Sequence, residues 1–423
     1  MKRILFVISV PIIIYAHTLP ELFDALKNHS QTKSDEMIVK KSNINKDLAT
    51  SQLYPTVNLF ASYDNYSTPT GVVPVPPNTL KPMLVNQSIP QPFSRNIYKT
   101  GANFTMPIFM KSIYTTADKA EAMQTSSKAK KHINMLKNEA IIVGANANFL
   151  YLSELDKSLD AKKKSLFETQ KTLKIKVNNG RAAASTLYKI NDGLNQIDIA
   201  KNNIELQKKT IISTIETLTG LSLQKPIKMS KVLDYEKGDL ASLRPLREKL
   251  RADRLGVKAQ KEKLYPALFA HGSYAYSRAN AYNNGKNINE EYGNIGVTLN
   301  IPLLAMSQYD SITLSEVEAR SSEVQLLKTG DELSAQANML EDSLPLLDNS
   351  RKLYKQSIED KKKLLDIAKV NYQNGRLSTE EYLRYEDDVV TEQAKLSKTK
   401  ATIWQMQMQL AVIYGNNIEE MVR

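Results

Sequence analysis

The chain repeats itself, and this internal duplication limits its possible folds more than any other feature of the sequence. Asn179-Gly180-Arg181 recurs 195 residues later as Asn374-Gly375-Arg376, and Met106-Pro107-Ile108 recurs at the same interval as Ile301-Pro302-Leu303. Similarity at a fixed interval indicates one structural unit that is built twice. We therefore predict that most of the 423 residues form two copies of one unit.

The first copy contains an insertion. Leu53-Tyr54-Pro55 recurs as Leu264-Tyr265-Pro266 after 211 residues rather than 195, so the first copy has 16 additional residues. These fall within 68–93, which contain seven of the 16 prolines in the chain. A proline-rich composition is typical of an exposed loop, and we predict one here.

Segments between these landmarks alternate between apolar and polar residues. Residues 294–301 alternate strictly, and residues 102–106 alternate in the same way. This period of two predicts strands with one apolar and one polar face. Residues 57–64 and 268–276 alternate less regularly and end among tyrosines, which are common at bilayer interfaces. We predict a β-hairpin in each copy, with strands of about ten residues that could cross a bilayer; two soluble hairpins packed on helices are the alternative.

Four transmembrane strands cannot close a barrel by themselves. An open sheet edge is not tolerated in hydrocarbon, because its backbone N–H and C=O groups would have no partners. Several chains must then share one barrel. Two copies would give eight strands, whose interior side chains fill, whereas three copies give twelve strands and leave a lumen. We therefore predict a homotrimer with a 12-stranded β-barrel.

The remaining segments carry the seven-residue repeat of a coiled coil. A helix from Pro107 to the first Asn-Gly would have about 70 residues and a length of about 105 Å. Pro345 lies inside the pattern of the second copy, where we predict a kink rather than a helix end. The apolar positions are Ala145, Leu152, Leu159, Leu166 and Leu173 in the first copy, and Leu333, Ala337, Leu340, Leu344, Leu347, Tyr354, Ile358, Leu365, Ala368 and Tyr372 in the second.

Each Asn-Gly-Arg segment is predicted to be the tip of an antiparallel helical hairpin. The Asn-Gly pair supplies the left-handed backbone that ends one helix. Ser185-Thr186 and Ser378-Thr379 follow the two tips and are suited to begin the returning helices. Both tips should lie at the helix ends farthest from the strands. An ordinary interhelical turn would explain Asn-Gly equally well, but an arginine at both tips favours a contact role.

Composition and targeting signals exclude several classes of function. Residues 1–16 have a basic start, an apolar middle and a final Ala16, which predicts a secretory signal peptide. Because the chain has no cysteine, disulfides, thiolate metal sites and a lipid-modified N-terminal cysteine are excluded. The formal charge of +12 is dispersed along helices, and with export it leads us to expect no nucleic-acid partner. The four histidines show no ligand spacing and no phosphate-binding loop is present, so we expect no enzyme activity, cofactor or metal site.

The sequence contains a signal peptide and then, in this order and twice, Leu-Tyr-Pro, a strand hairpin, a long helix, a glycine tip and a returning helix. In this order and duplication, over about 18–416, it resembles the TolC family of outer-membrane efflux ducts. The resemblance implies a mainly α fold with a small β part, in which a trimer joins its 12-stranded barrel to an α-helical tunnel. It places the protein in the outer membrane of a Gram-negative bacterium, with a large periplasmic part. The implied function is a passive porin-like exit channel for transport of small toxic compounds. Its partners would be a periplasmic adaptor and, through it, an inner-membrane pump.

Two other functions stay open from the sequence. The same architecture serves the exit duct of a type I protein-secretion system. A non-conducting periplasmic coiled-coil scaffold would also explain the helical repeats.

The resemblance also assigns functions to individual residues. The tip residues that would dock the adaptor are Asn179, Gly180, Arg181, Asn374, Gly375 and Arg376. Among the gate candidates, Tyr372 matches the tip tyrosine of the family, and Thr186 lies where a member of the family has an aspartate. Glu381 matches one acidic ring position, and three copies around an axis would attract cations. Arg384 replaces a second acidic ring, for which Asp388 could supply the missing charge.

The predicted boundaries follow from these assignments. They are 1–16 for the signal peptide; 17–220 for the first copy, with its hairpin at about 55–107 and its tip at 178–182; 221–237 for a linker; 238–415 for the second copy, with its hairpin at about 266–302 and its tip at 373–377; and 416–423 for a C-terminal tail.

Overall fold

The computed structural model describes residues 17–423, so the predicted signal peptide at 1–16 lies outside the described residues. The described part is mainly helical with one four-stranded antiparallel sheet, as the sequence predicted. No helix within 17–423 is both long and apolar enough to cross a membrane. The elements are α1 Leu19–Asn28, α2 Ser30–Ser51, β1 Thr56–Gly71, α3 Pro77–Val85, β2 Phe93–Phe109, α4 Lys111–Asn178, α5 Ala184–Thr219, α6 Arg244–Glu262, β3 Ala267–Asn280, β4 Asn287–Asn300, α7 Met306–Gln373, α8 Thr379–Tyr414 and α9 Ile418–Met421.

The chain divides into two compact units. The tip unit combines Lys128–Pro245 and Leu327–Arg423 with the N-terminal residues up to Val39. The sheet unit combines Lys40–Ser127 and Leu246–Leu326. The duplication is visible in helix lengths: α4 and α7 have 68 residues each, and α5 and α8 have 36 each.

In the tip unit, α4 and α5 pack through their heptad positions. Leu152, Leu159, Leu166 and Leu173 of α4 are at most 8% exposed and share a core with Ile190, Ile197 and Ile204 of α5. Both series advance by seven residues, which keeps each apolar stripe facing the other helix. Leu383 and Val390 of α8 pack against the same core, so the second hairpin lies on the first. In α7 the heptad positions are buried or half-buried, and the helix continues through Pro345.

The chain termini of the tip unit share a second core. Leu22 and Leu26 of α1 and Ile418 of α9 are buried with Ile142 of α4 and Met408 of α8. Beside this core, residues 221–237 have little regular structure but are held in place. The amide of the fully buried Asn146 donates to the C=O of Ile227 and accepts from its N–H, both at 2.8 Å. This double hydrogen bond satisfies a buried backbone without a helix or strand.

In the sheet unit the strand order is β1-β2-β3-β4, and all neighbours are antiparallel. The strands have 14 to 17 residues rather than about ten, and β2 runs past Pro107 with a register shift there. A backbone ladder depends on hydrogen bonds and not on side-chain polarity, so it continues where the apolar alternation stops. All four strands join helices at one end of the sheet, and the two hairpin connections lie at the other.

The proline-rich insertion is more ordered than predicted. It contains the short helix α3, which begins at Pro77, where a fixed φ and a missing N–H suit the first helical turn. The turn between β3 and β4 holds this insertion in place through Asn283. Its side-chain amide donates to the C=O of Gln87 at 3.1 Å and of Ile89 at 3.0 Å, and its oxygen accepts from the N–H of Gln91.

Candidate functional site

The sheet has two chemically different faces. The register places alternate residues of all four strands on the same side. The apolar face carries Val57, Leu59, Ala61, Tyr63, Tyr98, Ala102, Phe104, Met106, Ala270, Tyr274, Tyr276, Ile295, Val297 and Leu299. The polar face carries Asn58, Ser62, Asp64, Lys99, Asn103, Thr105, His271, Ser273, Ser277, Glu290, Asn294 and Thr298, with Phe60, Phe269 and Tyr292 among its aromatic members; at the hairpin end it also carries the buried Ile97, Ala279 and Ile288.

The apolar face is open to its surroundings in the single chain. Leu59 is 85% exposed and Ile295 is 83% exposed, so burial within one copy does not explain these side chains. On the polar face, one row crosses all four strands: Asn58 donates to Asn103 at 3.3 Å, and Ser273 donates to Asn294. One face therefore suits hydrocarbon and the other suits water.

Both outer strands of the sheet have one free edge. β1 pairs only with β2, and β4 pairs only with β3, among the described residues. The unpaired N–H and C=O groups along these edges are a template for pairing with another chain.

The two tips have the same backbone geometry. Gly180 has φ +68° and Gly375 has φ +72°, the left-handed conformation in which glycine is favoured. The N–H of Arg181 bonds the C=O of Lys176 at 2.7 Å, and the N–H of Arg376 bonds the C=O of Asn371 at 2.9 Å. This bond across five residues closes both helices in a Schellman-type cap. The exposed side chains of Asn179, Arg181, Asn374 and Arg376 surround the two caps.

The returning helices begin differently. Ser378 caps α8 as predicted, and Glu381 completes a capping box by accepting from the Ser378 N–H at 3.0 Å and from its hydroxyl at 2.7 Å. The N-cap of α5 is Ala183, which makes no side-chain bond, so neither Ser185 nor Thr186 has the capping position. The pKa of Glu381 is lowered by the hydrogen bonds from the Ser378 side chain and backbone, which favours the carboxylate.

The gate candidates from the sequence occupy several environments. Tyr372 is half-buried and its ring stacks on that of Tyr382, with centroids 4.9 Å apart. Asp388 lies 3.7 Å from Lys361, whereas Thr186 is half-buried and Arg384 is exposed. Within 17–423 the guanidiniums of Arg181, Arg376 and Arg384 make no ion pair. The charge of Arg384 nevertheless contributes to the lowered pKa of Glu381.

A buried polar network beside the tips was missed from the sequence. Glu386 is 6% exposed, and its Oε1 accepts from the Tyr382 hydroxyl at 2.7 Å and from the Ser165 hydroxyl. Its Oε2 is buried without a hydrogen-bond partner. Burial raises the pKa of Glu386, partly offset by these hydrogen bonds. Ser165 is on α4 and Tyr382 and Glu386 are on α8, so the network joins the two hairpins.

The heptad pattern could have revealed this network. Tyr382, Glu386 and Val389 are spaced by four and three residues, so the glutamate occupies a position at which an apolar residue is expected. A charged residue inside an apolar stripe is a candidate for a buried polar contact.

Removing the Tyr382 hydroxyl should loosen the start of α8. Tyr382→Phe removes one of the two hydroxyl donors to Oε1 of the buried Glu386 carboxyl and leaves only Ser165, which costs about 1–1.5 kcal/mol. We expect hydrogen exchange of the amides at 380–390 to become roughly tenfold faster. Tyr385→Phe, three residues on at a half-buried site, is the control and should leave exchange unchanged. Equal effects in both variants would contradict a special role for the network.

No group of His, Asp and Glu side chains within 17–423 is arranged to hold a metal ion.

Comparisons with known proteins identify the fold. No protein-family model matches the chain, and no curated protein sequence matches it. Several solved structures do match. The CmeC outer membrane channel of Campylobacter jejuni superimposes with a TM-score of 0.78 at 17% identity, over 94% of this chain and 85% of that one. The outer membrane protein VceC of Vibrio cholerae gives 0.77 at 15% identity, over 95% and 96%. The open-state MtrE outer membrane channel of Neisseria gonorrhoeae gives 0.73 at 13%, over 95% and 89%. The chain has a TolC-like fold.

This TolC-like fold confirms the resemblance noted in the sequence and the mainly α fold with a small antiparallel sheet. The match covers nearly the whole described chain, so both the sheet and the long helical hairpins take part in it. At these identities the likeness concerns the fold alone. The roles of the tip and gate residues are therefore argued below from the contacts of this chain.

Proposed function

We propose that three copies of this chain form the outer-membrane channel of a tripartite efflux system. In this role the protein is a passive exit duct, coupled through a periplasmic adaptor to an inner-membrane pump. The observation that carries the proposal is the two-faced sheet with free edges at β1 and β4.

Pairing between copies would cover the free edges of β1 and β4 and would give the apolar and polar faces different surroundings. If β1 of one copy pairs with β4 of the next, three sheets close into twelve strands and no edge remains open. The apolar faces would then contact lipid, while the polar faces, with the row from Asn58 to Asn294, would line a lumen. Two copies would give only eight strands, whose interior is filled by side chains.

The helical part also offers a surface for neighbouring copies. On α7, Met339, Leu346 and Leu353 follow seven-residue steps, and Ile367 lies two such steps further on, with Asp360 between them; the four apolar residues are 52 to 70% exposed. This stripe differs from the buried heptad positions of the same helix. An exposed apolar stripe at coiled-coil spacing is suited to pack against a helix of another copy, which would extend the barrel as a helical tunnel.

Oligomer mass and single-channel conductance, measured on one detergent-purified preparation, test the proposal. A trimer with discrete ion-conducting openings in a planar bilayer would support the duct. A stable monomer without current would contradict the shared barrel, and would favour a non-conducting scaffold.

The exposed arginines at the tips should be needed for docking rather than for folding. In the double variant Arg181→Glu, Arg376→Glu both guanidiniums are replaced by carboxylates, and neither arginine has an ion pair to lose within 17–423. We expect export to fail in a complementation assay while the trimer mass stays unchanged. Loss of the trimer would instead show that the arginines are structural.

Glu381 offers a clean test of the gate. Glutamine can also complete a capping box, so Glu381→Gln removes the charge while keeping the start of α8. If three carboxylates surround the channel axis, the variant should be less cation-selective, and the reversal potential in a salt gradient should move toward zero. Ser378→Ala is the control, because it weakens the cap but keeps the carboxylate. Unchanged selectivity in Glu381→Gln would place the residue outside the ion path.

A further inference from the structure

A cleft lies on the apolar side of the sheet at its hairpin-loop end. It has a volume of about 840 Å³ and is lined by Tyr63, Tyr98 and Tyr282 together with Arg95, Arg278 and Asn96. Tyr63, Tyr98 and Arg278 occupy one row of the sheet, immediately beyond the row of Ala61, Thr100 and Tyr276. The cleft thus lies at the hairpin-loop end of the apolar face, in the row that contains Tyr63 and Tyr98.

The cleft carries unneutralised positive charge. Neither Arg95 nor Arg278 forms an ion pair within the described chain, and the guanidinium of Arg95 lies 5.6 Å from the ring centroid of Tyr282. Glu291 is on the same face one row nearer the middle of the sheet, but it accepts a hydrogen bond from the Tyr274 hydroxyl. Both arginines therefore line the same cleft without a carboxylate partner.

The surrounding groups indicate the chemistry of that ligand. Guanidinium groups bind phosphate oxygens through parallel N–H donors. Tyrosine side chains combine an apolar ring with a polar hydroxyl and are favoured where hydrocarbon meets headgroups. The rings of Tyr63 and Tyr98 contact each other with centroids 4.7 Å apart, and the Tyr63 hydroxyl donates to Asn96 at 3.0 Å. These contacts hold part of the cleft wall in a fixed arrangement.

The cleft is also held from the side of the loops. The backbone N–H of Tyr282 donates to the C=O of Phe93 at 2.9 Å, which ties the β3–β4 turn to the start of β2. The side chain of Asn283 fixes the insertion beside it. Both sides of the cleft are therefore braced by hydrogen bonds.

We propose that this cleft binds the phosphate group of an anionic lipid, with Arg95 and Arg278 as the phosphate ligands and the tyrosine rings against the adjoining sugar or glycerol. This inference rests on the proposed barrel, in which the apolar face contacts lipid and the hairpin loops lie at the outer surface. Phosphorylated glycolipid is the main anionic lipid of such an outer leaflet, so diphosphoryl lipid A is the probe.

The test is a titration of the detergent-purified protein with diphosphoryl lipid A, followed by native mass spectrometry. Each arginine supplies a charge-assisted hydrogen bond, so Arg278→Gln should weaken binding about tenfold, and the double variant Arg95→Gln, Arg278→Gln about a hundredfold. Lys99→Gln is the matched control: it removes one charge from the same strand pair but on the polar face, and should leave binding unchanged. Equal affinity of the parent protein and the double variant would overturn the proposal, as would an equal loss in Lys99→Gln.

Two further measurements separate the possible failures. Inorganic phosphate added at the concentration of the lipid should not displace it, and displacement would show a small-anion site instead of a lipid site. Trimer mass is recorded for every variant and should be unchanged; conductance should be unchanged in the arginine variants, whereas Lys99→Gln, whose side chain faces the proposed lumen, is compared with them by trimer mass alone. A conducting trimer with parental lipid binding in the double variant overturns the lipid site alone, whereas absence of a trimer in the parent overturns the proposed duct itself. If the double variant does not assemble, Arg278→Gln alone is compared with Lys99→Gln.

Discussion

Replacing Ile295 with arginine should prevent assembly in the outer membrane, whereas the same replacement at the adjacent Asn294 should be tolerated. Ile295 lies on the apolar face in the row of Val57, Phe104 and Gly272, about midway along that face. An arginine that faces lipid near the bilayer midplane costs about 2–4 kcal/mol, and a trimer carries three. The fraction of protein recovered as heat-modifiable trimer from outer membranes measures the effect.

Asn294 is a strict control for this substitution. It is the next residue of the same strand, and its side chain lies on the opposite, polar face, where it accepts a hydrogen bond from Ser273. An arginine there would extend into the proposed water-filled lumen. If both variants assemble equally well, or if both fail, the two faces do not have the assigned environments.

Glu139→Gln should stabilise the protein at pH 8 and have little effect in acid. Glu139 is 4% exposed on α4 and its Oε2 has no hydrogen-bond partner. Burial, with a smaller contribution from the charge of Glu419, raises its pKa from 4.5 to about 7, although Lys27 opposes this shift. A raised folded-state pKa gives stability that is complete below pH 4.5 and is lost as the pH rises through about 7. The difference of about 2.5 pKa units corresponds to about 3 kcal/mol.

Denaturant midpoints of the parent and the variant, compared between pH 4.5 and pH 8.5, measure this effect. Glutamine resembles the protonated glutamic acid, so the variant keeps the stability that the parent loses at high pH. Glu36→Gln is the control with the opposite sign: the exposed Glu36 is paired with Lys131 at 2.8 Å, which lowers its pKa. A Glu139→Gln variant that is less stable at every pH would mean that the carboxylate has a partner in the native protein.

The duplication and the heptads predicted most of the helical architecture. Leu152, Leu159, Leu166 and Leu173 are buried because each lies on the side of α4 that faces α5. The glycines of the tips could be predicted because few other residues adopt a left-handed cap at low cost. Such features depend on local sequence, and one chain therefore contains all the information needed to find them.

Features that depend on tertiary contacts could not be predicted in this way. Helix α3 was hidden because its stability depends on how the β3–β4 turn binds the insertion. Glu139 looks like an ordinary surface glutamate until neighbouring helices cover it, whereas the heptad position of Glu386 could have singled it out. Glu381 illustrates a different limit, since its spacing from Ser378 fits a capping box as well as an acidic ring. The functional assignments of the tip and gate residues stay predictions.

The two tips differ in local stability, although the caps that end their first helices have the same geometry. Both helices end in the same way, but α8 begins with a capping box, whereas α5 begins at Ala183 with no side-chain cap. A missing N-cap costs about 1 kcal/mol, which multiplies the opening of the first helical turn about fivefold. The first turn of α5 should therefore fray on its own while that of α8 stays folded. In every chain a binding partner would meet one tip whose returning helix unfolds locally and one whose returning helix stays folded. It could therefore distinguish the two tips although their cap backbones have the same conformation.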